Sequence, residues 1–156
     1  MLAPRTRRIV LTTHIVASVG LLGDVAVYLA VATRAATTSD PALQSACYEL
    51  LTMFGFVFGI PLSLASLATG VTLGLGSKWG VLRYPWVTTK LALNVSVILV
   101  GALVLGPTAD AMRTGDGDAG GLLIAGAAYD VAALTLATTL SVFKPGRARV
   151  REPRLR

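Results

Sequence analysis

The sequence predicts an all-α protein, a polytopic membrane protein folded as a four-transmembrane-helix bundle, and its composition and apolar runs carry that prediction. Of its 156 residues, 54% are hydrophobic and 14% are charged, whereas a soluble domain carries roughly 25% charged residues. Four apolar stretches are long enough to cross a hydrocarbon core, which takes about 20 residues of helix. Because lipid offers the backbone no hydrogen-bond partners, such stretches are helical. The composition therefore excludes an ordinary soluble globule and a disordered chain.

The four spans follow one another with short polar connections, and residues 1–156 form a single membrane domain. The first apolar run is longer than the about 7–15 residues of a signal peptide, so we interpret it as a retained helix. Asp40 and Pro41 provide the N-cap and the first helical residue of the second span. Pro61 is expected to kink that span and to widen a cavity. The predicted spans are about 9–31, 41–75, 86–105 and 121–143, followed by a basic tail, 144–156.

The placement of Lys and Arg predicts that both termini are cytoplasmic. The N-terminal segment, the second connection and the tail together hold most of the 14 basic residues. Arg34 and Arg113 alone fall on the opposite side, and Lys90 lies within the third span, where it is expected to snorkel to the headgroups. The predicted location is the bacterial inner (cytoplasmic) membrane. Beside a membrane helix, the basic tail is expected to bind anionic lipid headgroups, and no nucleic acid.

Small and polar residues recur at helical spacing in every span, which predicts an inward face for each helix. Paired glycines in the second span, Gly55 with Gly59 and Gly70 with Gly74, favour internal packing over a possible homodimer. The predicted inward residues are His14, Ala17, Leu21, Asp24 and Tyr28; Ser45, Glu49, Thr52, Phe56, Gly59, Ser63, Ser66, Gly70 and Gly74; Val87, Lys90, Asn94, Val97 and Gly101; and Gly126, Asp130, Ala133, Ala137 and Ser141.

Three acids, Asp24, Glu49 and Asp130, fall within the predicted spans. Helical rise places each of them roughly 10–13 Å along its helix from the outer end. An ionised group at the bilayer centre costs about 2.5–3.5 kcal/mol, so intramembrane acids are candidates for function. If the three meet, either a cation keeps them ionised or at least one carries a proton, as in a general acid/base pair. The candidate catalytic residues are therefore Asp24, Asp130 and Glu49.

Other side chains are candidates for orienting a substrate, and each has a structural alternative. The tyrosines are equally typical of an interfacial belt, Glu49 of a helix end at the interface, and Asp24 and Asp130 of hydrogen-bonded core residues. A lone histidine is more often a bonded core residue than a ligand. The candidate substrate-binding residues are Tyr28, Tyr48, Tyr129, His14 and Asn94.

The motifs of cofactor and metal chemistry do not occur. The single Cys47 excludes an intrachain disulfide and a CxxC zinc arrangement, and the single His14 excludes an intrachain bis-histidine haem site. Residues 116–120 (DGDAG) begin like a calcium loop, but Ala127 stands where the twelfth-position Glu should be. We therefore expect no metal and no cofactor.

Two segments, residues 9–28 and residues 70–90 (GVTLGLGSKWGVLRYPWVTTK), resemble small four-helix predicted integral membrane proteins of actinobacteria. Those proteins begin with a basic segment and a first helix that bears a histidine, here His14. They continue with a glycine-rich end of the second helix, a short basic loop with a tryptophan, and a lysine early in the third helix, here Lys90. The resemblance implies the four-helix topology and an actinobacterial source, and it implies no reaction.

Three functions are compatible with these features. The first is cofactor-free acid/base catalysis, such as isomerisation, cyclisation or hydration, on a lipophilic small molecule that enters laterally from the bilayer. The second is a cation- or proton-coupled carrier or channel subunit that uses the same carboxylates. The third is a non-catalytic partner subunit of a membrane complex, in which the polar residues only hold helices together.

Overall fold

The structure, a computed structural model, describes residues 3–76, 85–115 and 119–143. Within them the chain forms four long helices: α1 (Pro4–Thr37), α2 (Pro41–Leu75), α3 (Pro85–Thr114) and α4 (Gly120–Phe143). Each is long and apolar enough to cross a membrane, so the predicted four-helix membrane fold is confirmed. The basic second connection with Lys78 and Arg83, the acidic residues 116 and 118, and the basic tail 144–156 lie outside the described residues.

The helix ends follow local sequence signals. The Asp40 side chain accepts a hydrogen bond from the Ala42 N–H at 2.9 Å, which confirms the predicted cap of α2. The third helix, α3, continues beyond Leu105, where the predicted span ends, to Thr114. It ends at Gly115, whose φ of +84° is the left-handed conformation that glycine adopts readily after a helix.

α2 and α3 each contain an internal proline and still continue without a break. A five-residue π-helical segment precedes each proline: Gly55–Gly59 comes before Pro61, and Gly101–Leu105 comes before Pro107. The wide turns are closed by hydrogen bonds from the Ile60 N–H to the Gly55 carbonyl and from the Gly106 N–H to the Gly101 carbonyl. Proline has no N–H, and in an α-helix its ring clashes with the carbonyl four residues earlier. A π-helical turn changes that spacing by one residue.

The extra residue in the π-helical segment rotates one half of α2 relative to the other. Leu51 and Ser63 are both buried, although twelve residues of regular α-helix would leave them about 120° apart. One residue taken up by the π-helical turn leaves eleven, or about three turns. As a result Tyr48 faces inward and Glu49 is exposed. The predicted inward placement of Glu49 and Phe56 is therefore wrong.

The four helices pack as a ring in which α1 contacts α2 and α4, and α3 contacts the same two helices. Buried residues form two clusters, one near the α1–α2 and α3–α4 connections and one further toward the chain termini. The connection cluster is Tyr28, Ala32, Ala35, Cys47, Tyr48, Leu51, Leu105, Ala109, Leu123 and Ala127. The middle cluster is Leu21, Val25, Val97, Ala133 and Leu134.

Candidate functional site

Asp24 lies on the edge of α1 that faces the π-helical segment of α2. Its Oδ2 is 3.3 Å from the position that a Cβ atom on Gly59 would occupy, so a larger residue there would require the carboxylate to shift by a few tenths of an ångström. Its Oδ1 is buried and has no hydrogen-bond partner. Native structures leave few buried polar atoms unpaired, and each such atom calls for an explanation.

A groove of about 230 Å³ runs between α1 and α2 beside this carboxylate. On the α1 side, Gly20 and Gly23 have no side chains that could fill the groove. Two other lining residues, Val27 and Phe58, are 43% and 44% exposed. The groove therefore opens on the outer flank of the bundle, which faces lipid tails in a membrane. Its lining residues are Gly20, Gly23, Asp24, Val27, Phe54, Phe58 and Leu62.

A second carboxylate, Asp130 of α4, is 2% exposed and also has a buried Oδ1 without a hydrogen-bond partner. Buried residues on either side of it along α4, Ala127 and Ala133, belong to the connection cluster and the middle cluster respectively. Tyr28, one helical turn after Asp24 on α1, is 6% exposed in the connection cluster, and its hydroxyl donates to the Leu105 carbonyl at 3.4 Å. Asp24 and Asp130 thus each have a buried, unpaired carboxylate oxygen, Asp24 at the groove and Asp130 inside the bundle.

The other candidate residues near the helix connections are Glu49, Tyr48 and Tyr129. Glu49 is exposed on α2. Tyr48 is 4% exposed within the connection cluster. Tyr129 is 44% exposed, and its hydroxyl donates to Ser96 Oγ at 2.7 Å, which joins α4 to α3. Tyr48 therefore packs in the same cluster as Tyr28, whereas Tyr129 lies on the surface between α3 and α4.

The last two candidates, His14 and Asn94, belong to a polar group centred on Ser66, which we call the Ser66 node. His14 Nδ1 lies 3.1 Å from the Ser66 carbonyl oxygen and 3.0 Å from Thr69 Oγ1. Because a carbonyl can only accept, Nδ1 carries the proton. Ser66 Oγ lies 3.0 Å from Ser18 Oγ and accepts from Asn94 Nδ2 at 3.1 Å. The node, made of His14, Ser18, Ser66, Thr69 and Asn94, joins α1, α2 and α3.

Glycines of α2 make room for both polar groups of α1. A Cβ on Gly59 would meet the Asp24 carboxylate, and a Cβ on Gly70 would lie 3.1 Å from the His14 ring. Both glycines come from the pairs that the sequence assigns to internal packing, and the structure uses them within the bundle. The groove residues Phe54 and Phe58 were missed, and the signal that could have found them is Pro61, which places a π-helical turn beside Asp24.

The donor set available to a metal ion is small. Across residues 3–76, 85–115 and 119–143, no group of three or more His, Cys, Asp or Glu side chains comes together in a way that could hold a metal. What the arrangement offers is a carboxylate at a lipid-facing groove and a second carboxylate buried on α4. This combination can bind a hydrogen-bond donor or a cation and can exchange a proton with it.

A comparison of the chain with known protein families identifies its family. The profile of a family described as "Predicted integral membrane protein (DUF2269)" matches residues 8–120. The match covers most of α1 and all of α2 and α3, and it ends where α4 begins. No curated protein and no solved structure matches the chain. The family description agrees with the four membrane-spanning helices; it specifies neither a reaction nor a bacterial source.

Proposed function

The chain belongs to this family of predicted integral membrane proteins, and from that premise we propose that it takes a lipophilic metabolite from the bilayer into the groove beside Asp24 and acts on it by acid–base chemistry. The observation that carries the proposal is the buried, unpaired Oδ1 of Asp24 at a groove on the outer flank. Isomerisation, cyclisation and hydration are reactions that one positioned proton-exchanging group promotes without a cofactor.

The position of the groove supports lateral entry. Its walls are α1 and α2, and two of its residues, Val27 and Phe58, are exposed on the outside of the bundle. Ligand sites are concave and mostly apolar, with a few polar groups that fix orientation. Here the apolar walls suit a hydrocarbon body, and Asp24 suits a single polar group on it.

The surroundings of Asp24 support an acid–base role. Asp24 is the carboxylate that reaches the groove, and it is the residue proposed to exchange a proton with the substrate. Asp130 is 2% exposed on α4 and does not line the groove. A carboxylate with an unpaired oxygen beside an apolar groove is the kind of group that acts as a general acid or base.

The carrier alternative needs polar groups across the whole bundle. The Ser66 node supplies them nearer the termini, and Asp24 and Asp130 supply them nearer the connections. Along α1, however, Leu21 of the middle cluster lies between Ser18 of the node and Asp24, and it is 2% exposed. Because an apolar side chain fills this level, the geometry favours a lateral site over a path through the centre.

The proposal is tested by the small molecules that leave the membrane with the protein. Wild-type, Asp24→Asn and Glu49→Gln proteins are extracted from cells with their surrounding lipid by an amphipathic polymer, and the extracts are compared by mass spectrometry. We expect one lipophilic compound enriched with the wild type and with Glu49→Gln, and reduced about tenfold with Asp24→Asn, the equivalent of one lost charge-assisted contact. The same compounds in equal amounts with all three proteins would contradict the proposal.

A further inference from the structure

The groove beside Asp24 also indicates which class of lipophilic molecule it takes. We infer that the ligand is a cation, namely a protonated amine carried on a compact apolar body. This inference rests on the proposed function and names the substrate class of the same site. Three features carry it: the unpaired carboxylate oxygen, the aromatic pair in the groove, and the small number of other ligand groups.

The first feature is the missing partner of Asp24. Its Oδ1 is buried without a hydrogen bond, and in the part of the chain that the structure describes no Lys or Arg forms an ion pair with it. The ion pair that the structure shows there joins Arg113 to Asp110 at 2.8 Å, on an exposed helix surface. A buried carboxylate is tolerated when a charged, hydrogen-bonding partner accompanies it. A protonated amine supplies the charge and the N–H donors together.

The second feature is the aromatic wall. Phe54 and Phe58 line the groove with Asp24, and their ring centroids are 5.6 Å apart with the planes tilted by 37°. The faces of aromatic rings carry partial negative charge and attract cations, more strongly where water is excluded. An anionic ligand would be repelled by Asp24, and a neutral alcohol would use neither the carboxylate charge nor the ring faces. The wall therefore favours a cation.

The third feature decides between an organic cation and a metal ion. Calcium takes six to eight oxygen ligands, whereas the described residues bring no three acidic, histidine or cysteine side chains into a metal-binding group. One carboxylate balances one ammonium group. The groove volume of about 230 Å³ is below the about 300–1,000 Å³ of a site for a drug-sized ligand. It suits a compact amine, or the head of a longer one whose tail lies in lipid.

The test uses three probes that share one rigid hydrocarbon cage: 1-adamantanamine, 1-adamantanol and 1-adamantanecarboxylate. Each is titrated into the full-length protein in a neutral, non-ionic detergent at pH 7, and binding is measured by isothermal titration calorimetry. The variants are Asp24→Asn, Phe58→Leu and, as the control, Asp110→Asn, which removes an exposed carboxylate on α3. Phe58 is 44% exposed, so its substitution tests the groove without disturbing the core.

The expected result is that the amine binds the wild type about tenfold or more tightly than the alcohol, and that the carboxylate probe does not bind. Asp24→Asn brings the amine down to the level of the alcohol, Phe58→Leu weakens it about threefold, and Asp110→Asn leaves it unchanged. If Asp24→Asn does not fold, the amine-to-alcohol ratio and the Phe58→Leu variant still decide the outcome.

Several outcomes would overturn the inference. Equal binding of alcohol and amine, or equal binding of the amine to wild type and Asp24→Asn, shows that charge does not select the ligand. In that case an Asp24-dependent compound in the membrane extracts still upholds the proposed function. If neither probe binds and the extracts show no Asp24-dependent compound, the inference and the proposed function fail together.

Discussion

The bundle contains two groups of polar side chains, and they differ in how their atoms are paired. In the Ser66 node, an imidazole, an amide, three hydroxyls and a backbone carbonyl meet across three helices at 3.0–3.1 Å. In the second group, the carboxylates of Asp24 and Asp130 each keep a buried oxygen with no partner. The node lies beside Gly70 of α2, whereas Asp24 lies on the edge of α1 beside Gly59 and Asp130 is buried on α4.

Pairing therefore separates the two groups better than burial does. Ser66 and Asp130 are equally buried, each 2% exposed. The hydroxyl of Ser66 has partners on two other helices, which is how polar groups hold membrane helices together. The Oδ1 of Asp130 has none, which is costly unless the site gains something from it. We interpret the node as structural and the carboxylates as functional. Within the node, Asn94 resembles the carboxylates in one respect, because its Oδ1 is also unpaired.

The comparison depends on the π-helical segment of α2, since that segment sets which side chains face α1. The largest predicted effect follows from removing one residue of α2 in a Pro61→Ala background, which takes away the proline clash. Deleting Leu64 from regular α-helix turns the residues after it by about 100° and carries Ser66 and Thr69 away from α1. We expect that no folded protein is recovered, as judged by size-exclusion chromatography and far-ultraviolet circular dichroism.

The matched control deletes Phe56, which lies within the π-helical segment and is 69% exposed, compared with 52% for Leu64. This deletion removes the extra residue and keeps both halves of α2 facing inward, so we expect a folded protein. Equal damage from both deletions would show that the π-helical turn does not set the register of α2.

The sequence predicts the features that depend on length and loses those that depend on rotation. Helix number follows from the lengths of the apolar runs, and the cap of α2 follows from the local pair Asp40 and Pro41. Facing direction requires a constant 3.6 residues per turn, and one residue in the π-helical segment breaks that condition. For this reason Glu49, which is predicted to face inward, is exposed, and the neighbouring Tyr48 is buried.

The groove itself could not be predicted from one sequence. Its width depends on how closely α1 approaches α2 at Gly20 and Gly59, which is a property of the packed bundle. Pro107 shows the same limit. Read locally, it ends a helix, but the π-helical segment before it lets α3 continue. In both cases the tertiary arrangement decides what the local signal means.

The second prediction tests whether the unpaired carboxylate of Asp130 destabilises the folded protein. Asp130→Asn keeps the size of the side chain and replaces an unpaired carboxylate by a neutral amide, so we expect the ligand-free protein to become about 1–2 kcal/mol more stable to unfolding. Asp110→Asn is the control, because that carboxylate has a partner in Arg113; loss of an exposed pair costs about 0.5 kcal/mol or less. Thermal unfolding in detergent measures both. A loss of stability in Asp130→Asn would mean that Asp130 has a stabilising role and is not held at a cost.

The third and smallest effect concerns the node. Ser66→Ala removes the hydroxyl that meets Ser18 and Asn94, and we expect it to cost about 0.5–1.5 kcal/mol, the usual range for a hydrogen bond between membrane helices. Ser63→Ala is matched in burial, but its hydroxyl donates to the Ile60 carbonyl of its own helix, so its expected cost is within about 0.3 kcal/mol. Equal costs, read from the same unfolding curves, would show that the node does not hold the helices together. The pairing of polar atoms would then no longer separate a structural group from a functional one in this bundle.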